Sequence, residues 1–485
     1  MGHVTIAAEM CSLYRFRDLL RTHGDLLLVI LLCVGVFFLQ VLHLHEAAFP
    51  VTDEGSHAEV GRMIVEGFAP YRDFYYPHPP LLPLLIGSGL QLFGGMYPIR
   101  FIYLLLNVTS AIPLFLILRR LTGDRFGAVI GVMMYLTYSE MVHHDFRFLA
   151  LRQLSNVLVI AFASMGILCR QWKYRSSIET VLASLTALLL YPATVNIALL
   201  SLLIILREST KQQRAAQLRH YAAVGSVTIA FLLLFYALVP GSFDQTFLEH
   251  FGLPTMSRWG RIQWVMDSDP RDLFFYGSTT ASLLLSTALL RGYRWLSLCA
   301  LSMIGAIFLP AEFWPHYFVT AAFAFAVGAA LLPTLLRRML PVRTVIIPWT
   351  IALLILALHI DRTLPSLLAE WNGNRGGDYH QIVAQLRTYP EPVLTFMEPI
   401  YAIDAGKKLT QHPYRATRFT TAHMSSLHHI NASQFLLLAE DACTIFLTGW
   451  DRSFLPPEVL QNWMKLYEVV SDDPRILLTH NPHCS

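Results

Sequence analysis

The chain has 485 residues, of which 54% are hydrophobic and only 14% charged, and its formal net charge is +3. Soluble globular proteins carry about a quarter charged residues, so this composition excludes that class and indicates an integral membrane protein. So small a net charge gives no reason to expect nucleic acid as a partner. The six cysteines are scattered without paired spacing, which predicts neither a disulfide framework nor a cysteine metal site.

Several apolar segments approach the length of about 20 residues that a membrane-spanning helix needs. The eleven predicted spans cover 26–44, 99–118, 126–142, 148–169, 178–190, 192–206, 222–239, 273–290, 295–311, 316–335 and 343–360. The apolar run at 80–93 is short for a span, and we interpret it as an interfacial or re-entrant helix. The sequence therefore predicts a polytopic α-helical membrane protein with an uncleaved first span.

The positions of the basic residues test this interpretation. Arginine and lysine cluster at the ends of the predicted spans, at 15–21, 119–125, 170–175, 207–219, 291–294 and 337–343. If 80–93 lies at the surface, all these ends share the cytoplasmic side, as the positive-inside rule requires. If 80–93 crossed the bilayer, every cluster after the first would lie outside. The rule therefore places the N-terminus in the cytoplasm and the loops at 46–98 and 240–272 on the outer face.

The composition changes after the last predicted span. Residues 1–361 form the predicted transmembrane region, 362–378 a linker and 379–485 a small extracytoplasmic α/β domain. Short apolar runs predict buried strands and amphipathic runs predict helices. The predicted strands are 392–399 and 443–450, and the predicted helices are 379–387 and 456–470.

The first outer loop opens with two adjacent acids, Asp53 and Glu54, at the start of a predicted helix that runs to about Phe68. Val60, Ile64 and Phe68 form its apolar stripe. Asp53 can simply cap this helix by accepting a backbone N–H. Capping and catalysis are compatible, because a capping carboxylate is held in one orientation.

This loop, "TDEGSHAEVGRMIVEG…PYRDFYYPHPPLLPLLIGSGLQLFG", resembles the first external loop of GT-C glycosyltransferases. The similarity is greatest to the group of dolichyl-phosphate-mannose protein mannosyltransferases and lipid A aminoarabinose transferases. It extends to "RRLTG" after the next span, to an acid at Asp145, to "PHYFVTAAFAF" and to the α/β tail. The first-loop motif is fairly specific, whereas each later segment alone is weak.

The resemblance implies inverting transfer of a sugar from a polyprenyl-phosphate donor to an acceptor at the outer face. Asp53 matches the position of the base that takes the proton from the acceptor hydroxyl. Cationic side chains must stabilise the charge that grows on the departing phosphate. Relatives often have a lysine before the paired prolines, where this chain has His78, which as neutral imidazole donates one hydrogen bond.

Arginines on the predicted outer face are candidates for that phosphate contact. Arg258 and Arg261 suit phosphate geometry, although a loop that binds lipid headgroups explains them equally well. Arg147 and Arg152 flank Asp145 and can either contact phosphate or simply neutralise that acid. Asp145 itself can orient the acceptor, act as a second acid, or be an ordinary interfacial carboxylate paired with Arg147.

The remaining candidates for substrate contact are Glu54, His316 and Tyr317; interfacial tyrosines are common, which weakens Tyr317. No cofactor is required by the resemblance. A divalent metal held by His143 and His144 with Glu54 or His57 is the lesser alternative, because nineteen histidines make chance proximity common.

The rival hypothesis is a non-enzymatic transporter or flippase of lipid-linked sugars. Transporters show internal repeats and broken helices near the bilayer midplane. This sequence has no evident repeat, and Tyr191-Pro192, which resembles a helix break, is also explained by a tight outer turn. The expected partners are the lipid-linked donor, a lipid, glycan or protein acceptor, and membrane lipids. The short loops and the lack of an endoplasmic-reticulum retention signal favour a bacterial plasma membrane.

Overall fold

The computed structural model describes a large part of the chain. The described residues are 24–41, 44, 53–137, 151–248, 270–308, 315–340, 350, 354, 357, 377–395, 400–410, 439, 441–448, 455, 457–473, 476–481 and 484. Within them, the helix or strand position but not the side chain is described for 53, 151, 270–275, 315–316, 377–380, 400, 448, 471–473 and 476–480.

The described residues before 340 form a bundle of helices. These are α1 (Gly24–Val41), α2 (Asp53–Val65), α3 (Leu81–Phe93), α4 (Met96–Thr109), α5 (Ala111–Thr122), α6 (Arg125–Thr137), α7 (Leu151–Ile167), α8 (Arg175–Leu189), α9 (Tyr191–Leu203), α10 (Lys211–Leu238), α11 (Pro270–Leu289), α12 (Arg294–Ala306) and α13 (Ala322–Met339). Short π-helices follow α9 at Ile204–Glu208 and lie at Asp244–Leu248, and 3₁₀ turns lie at Arg291–Tyr293 and Pro315–Ala321.

Ten of the eleven predicted spans correspond to these helices, and the eleventh, 343–360, lies almost entirely outside the described residues. In the described residues, five stretches are long and apolar enough to cross a bilayer alone: Gly24–Val41, Met96–Thr122, Tyr191–Glu208, Lys211–Leu238 and Tyr317–Met339. The polytopic helical architecture is therefore confirmed, while the count of eleven crossings stays a prediction.

The outer helices of the bundle present apolar side chains to their surroundings. Leu31 and Phe38 on α1 are 58% and 62% exposed, and Leu233 and Leu238 on α10 are 62% and 70% exposed. Water solvates such a surface poorly, whereas lipid acyl chains solvate it well. The bundle is therefore built to be surrounded by lipid, and the chain is an integral membrane protein.

The short helix α3 is not among the stretches long and apolar enough to cross a bilayer alone. Its 13 residues extend about 20 Å at 1.5 Å per residue, less than the hydrocarbon thickness of about 30 Å. Arg100, in the second turn of α4, reaches both Glu54 at the start of α2 and the carbonyl of Leu44 beyond α1. The segment from 54 to 100 therefore begins and ends at the same end of the bundle, as the interfacial interpretation predicts.

The basic helix ends meet at the opposite end, which we call the basic face. Asp25 lies 3.4 Å from Arg119, and Asp124 lies 2.8 Å from Arg337. Tyr293, in the turn before α12, donates a hydrogen bond to a backbone carbonyl beside them, at 2.6 Å. The predicted grouping of these ends on one side is thus present, and their assignment to the cytoplasm stays a prediction.

The tail contains a four-stranded sheet flanked by helices. Its elements are α14 (Gly377–Thr388), β1 (Val393–Leu394), α15 (Ile400–Asp404), β2 (Thr444–Thr448), α16 (Pro457–Leu466), β3 (Glu468–Asp473) and β4 (Ile476–His480). The strand order is β1-β2-β4-β3, with β1 parallel to β2 and the other pairs antiparallel. Strands β1 and β2 are the two predicted buried strands.

Two expectations for the tail are wrong. The helix predicted over 456–470 ends at Leu466, because Val469 and its neighbours pair with β4 as strand β3. Branched side chains at this point favour a strand. The cysteines were expected to form no disulfide framework, yet Cys443 and Cys484 are joined by a disulfide across 41 positions. This bond fastens the end of the chain beside β2.

Candidate functional site

Helix α2 begins at Asp53, the predicted base, whose side chain lies outside the described part of the structure. The polar residues that follow do not form a solvated face. Glu54 and His57 are 1% exposed and Glu59 is 5% exposed. Buried charges need partners with good geometry. The start of α2 is therefore enclosed by protein, and its partners define its position.

The guanidinium of Arg100 provides that partner for Glu54. Its Nε and Nη2 donate to the two carboxylate oxygens of Glu54 at 3.0 and 2.8 Å, a bidentate fork. Its Nη1 donates to Asp404 at 3.2 Å and to the carbonyl of Leu44 at 3.3 Å. Both Arg100 and Glu54 are buried. This arrangement occupies both oxygens of Glu54 and favours a positioning role for it over direct contact with substrate.

Helices α2 and α3 touch through glycine. A Cβ on Gly61 would lie 2.7 Å from the carbonyl oxygen of Pro83 and 2.8 Å from the amide nitrogen of Gly87. A side chain at either glycine would meet backbone, which cannot move aside as a flexible side chain does. The pair therefore requires glycine at this crossing, and the two helices form one closely packed hairpin.

Tyr71, in the connection between α2 and α3, has φ of 70°, a left-handed conformation that is unusual for a residue other than glycine. Its hydroxyl donates to the carbonyl of His78 at 2.7 Å. Burial raises the pKa of the Tyr71 hydroxyl well above its ordinary value, with smaller contributions from nearby tyrosines. The hydroxyl therefore remains a donor, and this bond holds the backbone beside His78.

Gln245 ties this connection to the second outer loop. It lies in the π-helix Asp244–Leu248, and its side-chain amide donates to the carbonyl of Tyr71 at 2.9 Å. Its side-chain oxygen accepts from the backbone N–H of Tyr76 at 3.0 Å. The start of the segment 240–272 therefore lies at the same end of the bundle as the first loop. We call this end, with Glu54, His78, Arg100 and Gln245, the loop face.

Three buried side chains of the first loop contact one another. The hydroxyl of Tyr76 lies 3.0 Å from Nδ1 of His57. The ring of His78 lies 5.6 Å from that of His57 and 5.7 Å from that of Tyr76. His57 is four residues after Asp53, so the two share a face of α2. These polar groups place proton donors and acceptors within about one helical turn of the position that the predicted base occupies in α2.

His78 also lines a cavity with about 320 Å³ of empty space, a volume that includes open solvent at its mouth. The cavity is bounded by residues of the first loop, α7, the α8–α9 turn and the 3₁₀ turn at Pro315–Ala321. Its lining residues are His78, Arg152, Leu190, Pro192, Ile307, Tyr317 and Thr320. One cation and one imidazole in a mostly apolar wall suit a ligand with an anionic head and an apolar body.

The cation of this cavity is held against an aromatic ring. Arg152 is 8% exposed, and its guanidinium carbon lies 4.4 Å from the ring centre of Tyr317. The turn that carries Tyr317 is fixed by two amides, since Asn156 donates to the carbonyl of Val319 at 2.5 Å and Asn196 to that of Thr320 at 2.8 Å. Helices α7 and α9 thus position this wall of the cavity.

The turn at Tyr191-Pro192 closes the same cavity. Leu190 is extended between α8 and α9. Arg170, before α8, donates to the carbonyl of Glu208, beyond α9, so the two helices return to the basic face as a hairpin. The sequence interpretation of this dipeptide as a turn, not a broken helix, is therefore confirmed.

The structure brings together His78 and Tyr317 from the predicted site, with Glu54 nearby in the Arg100 network. Other predicted residues cannot be placed: Asp145, Arg147, Arg258 and Arg261 lie outside the described residues, as does the side chain of His316. Among the described residues there is no group of three histidine, cysteine, aspartate or glutamate side chains arranged for a metal ion. His143 and His144 of the metal alternative also lie outside them.

Sequence reasoning missed Arg100, Gln245 and Asp404, and it weighed Arg152 mainly as a partner of Asp145. Arg100 carried a usable signal, because it lies inside the predicted span 99–118. A charge within a span is costly and usually has a specific partner or function. Gln245 and Asp404 carried no such signal, since polar residues are ordinary in outer loops and tails.

Comparison with known proteins shows similarity of fold, with no match at the level of sequence families. No protein-family model matches the sequence, and no curated protein matches it. The fold is similar to the crystal structure of ArnT from Cupriavidus metallidurans bound to undecaprenyl phosphate, with a TM-score of 0.63. The two are 14% identical in sequence, and the match covers 95% of this chain and 98% of that one. The chain therefore shares the fold of this ArnT.

Proposed function

We propose that this protein is an inverting glycosyltransferase that moves a sugar from a polyprenyl-phosphate donor to an acceptor at the outer face of the membrane. The observation that carries the proposal is the cavity that joins His78 to Arg152 and Tyr317 in an otherwise apolar wall. A polyprenyl phosphate has the matching chemistry, an anionic head on an apolar chain. The similar fold of ArnT, whose crystal structure contains undecaprenyl phosphate, supports the same ligand class.

We assign the role of Asp53 from the sequence resemblance and the roles of Arg152 and His78 from the cavity that they line. Asp53, at the start of α2, takes the proton from the acceptor hydroxyl as that oxygen attacks the anomeric carbon. The bond from the anomeric carbon to the phosphate oxygen breaks, and the guanidinium of Arg152 stabilises the negative charge left on the phosphate. His78 donates a further hydrogen bond to that phosphate. Arg147, Arg258 and Arg261 remain candidates for additional phosphate contacts, and Asp145 and His316 for acceptor contacts.

The orientation is part of the proposal. We place the loop face and the tail, residues 379–485, on the extracytoplasmic side of a bacterial plasma membrane, with the N-terminus in the cytoplasm. The disulfide between Cys443 and Cys484 supports this side for the tail, because disulfides persist in oxidising compartments and are rare in the cytosol. The arginines grouped on the basic face support the same orientation, because basic residues favour the cytoplasmic side of a membrane.

The test uses full-length protein purified in detergent. We would supply a panel of undecaprenyl-phosphate-linked sugars with membrane lipid extract as acceptor, and follow release of undecaprenyl phosphate together with sugar transfer. Asp53→Asn should lower kcat by about 10²- to 10⁴-fold, the range for loss of a general base. Arg152→Ala should lower kcat by about 10²-fold or more, with Arg152→Lys intermediate.

Two results would contradict the proposal. Unchanged transfer by Asp53→Asn would remove Asp53 as the base. Movement of a lipid-linked sugar between leaflets of reconstituted vesicles without any transfer would instead support the flippase.

A further inference from the structure

One carboxylate of the tail contacts the arginine that holds the start of α2. Asp404, the last residue of α15, accepts a hydrogen bond from Nη1 of Arg100 at 3.2 Å. Its side chain is 17% exposed, whereas that of Arg100 is 2% exposed. The two residues are 304 positions apart in the sequence. The tail therefore binds the third nitrogen of the same guanidinium whose other two nitrogens hold Glu54.

Asp404 is itself held firmly in the tail. Tyr401, one turn earlier, is buried, and its ring lies 5.3 Å from that of Phe446 on β2. The backbone carbonyl of Asp404 accepts from Arg387 on α14 at 3.2 Å. After the turn, the carbonyl of Lys408 accepts from the N–H of Val393 on β1 at 2.8 Å. The sheet and both flanking helices thus determine where the carboxylate lies.

An apolar core joins the tail to the helices of the first loop around this contact. One buried cluster includes Ala58 of α2 and Ile86 of α3 together with Leu386, Ala402 and Phe446 of the tail. All five are fully buried. Packed cores of this kind deform little, so the distance between α15 and α2 is fixed. The ion pair then sets the orientation of the Arg100 guanidinium within that contact.

We infer that Asp404 is a positioning residue: through Arg100 and Glu54 it fixes the N-terminal end of α2, and with it the adjacent Asp53. This inference rests on the proposed function. Without Asp404, the guanidinium of Arg100 loses the hydrogen bond that ties it to the tail. The guanidinium can then turn relative to Glu54. A misplacement of about 1 Å at a reacting group can lower a rate by about 10²-fold.

The test compares Asp404→Asn and Asp404→Glu with a matched control. Asp441→Asn makes the same chemical change at an exposed position of the tail. Asp404→Asn should lower kcat about tenfold or more, with KM for an undecaprenyl-phosphate-linked sugar within about twofold of wild type. Asp404→Glu should recover part of the loss, because it restores the charge, and Asp441→Asn should behave as wild type.

A second measurement does not depend on activity. Hydrogen–deuterium exchange of peptides covering 54–66 should be faster in Asp404→Asn than in wild type or Asp441→Asn, because α2 loses a constraint. If Asp404→Asn does not fold, both measurements are made on Asp404→Glu. Its kcat should then fall, and its hydrogen exchange in α2 should rise, by less than expected for Asp404→Asn.

The outcomes are distinct. Unchanged kcat in the Asp404 variants would overturn the inference, as would a loss confined to thermal stability. A rise in KM with kcat unchanged would overturn it as well, because that pattern indicates substrate binding. If wild-type protein transfers no sugar, the proposed function fails, while unchanged exchange in α2 would overturn the mechanical link by itself.

Discussion

The loop face and the basic face both contain arginine–carboxylate pairs, but in different surroundings. On the basic face, Arg119 and Arg337 remain 30% and 41% exposed while paired. On the loop face, the side chains of Arg100 and Glu54 are 2% and 0% exposed. Exposed pairs contribute at most about 1 kcal/mol, whereas breaking a buried pair costs about 3–5 kcal/mol. Ion pairs on the loop face therefore determine where chain segments lie, and those on the basic face contribute little to position.

The basic face also has a buried arginine, and it sharpens the difference. Arg175 donates to Glu179 at 3.0 Å, one turn along α8, and Glu179 also contacts His220 at 2.5 Å and Tyr221 at 3.2 Å on α10. This network joins two helices that pack side by side in any case. The Arg100 network instead joins the end of α1, the start of α2 and the tail. Burial alone does not distinguish these two buried networks; the sequence distance that each of them spans does.

The largest expected effect comes from breaking the two buried networks in parallel. Arg100→Met leaves the carboxylate of Glu54 without its guanidinium and should lower the free energy of unfolding by about 3–5 kcal/mol. Arg175→Met should cost less, about 1–3 kcal/mol, because Glu179 keeps His220 and Tyr221. Thermal unfolding of the purified variants in detergent measures both.

A triple variant separates charge from packing. Arg100→Met with Glu54→Gln and Asp404→Asn removes the stranded charges and should be more stable than Arg100→Met alone. An equal loss of unfolding free energy in Arg100→Met and Arg175→Met would show that the buried network of the loop face contributes no more than that of the basic face.

The next effect tests the close contact within the loop face. Gly61→Ala places a Cβ against the backbone of α3 and should cost about 1–3 kcal/mol through overpacking. Gly225→Ala in α10 is the control, since a Cβ at that position would meet no neighbouring group within 4 Å; it should be neutral or stabilising by up to about 1 kcal/mol. Thermal unfolding compares them, and a Gly61→Ala variant as stable as wild type would mean that the helices separate without cost.

An effect of similar size concerns the link between the two outer loops. Gln245→Leu removes hydrogen bonds to the backbone of Tyr71 and Tyr76 and should cost roughly 1–3 kcal/mol. Because those residues precede His78, the donor KM should rise as well. Gln385→Leu, at an exposed position of α14, is the matched control. If both variants show the same stability and KM, the amide bridge does not hold the loop.

The smallest effect is the pH dependence of an exposed pair on the loop face. The Arg72 guanidinium, helped by the N–H of Ala69, lowers the pKa of Asp73 from 3.8 to about 2. A lowered folded-state pKa stabilises the fold above the ordinary pKa, and that contribution is lost as the pH falls from about 4 to about 2. Asp73→Asn should therefore show a slightly weaker acid dependence of its unfolding temperature than wild type. A larger change than in Gln245→Leu would contradict the ranking of exposed and buried contacts.

The sequence predicted what depends on hydropathy and on the distribution of charge. Apolar periodicity located the helices, and the positions of basic residues placed 80–93 at the surface, because both signals are local and repeated. The pairing of Cys443 with Cys484 was not accessible, since spacing alone does not specify which distant cysteines meet. The end of the helix at Leu466 was missed because only pairing with β4 makes the next residues a strand.

The site was predicted in part. Motif resemblance led to His78 and Tyr317, which do line one cavity. The cation in that cavity, Arg152, and the amide of Gln245 depend on how distant segments pack, which no single stretch of sequence encodes. The role of Asp53 stays a prediction, because its side chain is outside the described residues.

The glycine crossing between α2 and α3 has a mechanical consequence. Leu84, Leu85 and Leu92 of α3 are exposed, and the apolar character of this helix suits the boundary between acyl chains and headgroups. Backbone meets backbone at Gly61 and Gly87, so no layer of side chains separates α3 from the helix that begins at Asp53 at this crossing. The two helices are therefore expected to shift together, because closely packed backbone leaves no flexible side chain between them to absorb a displacement.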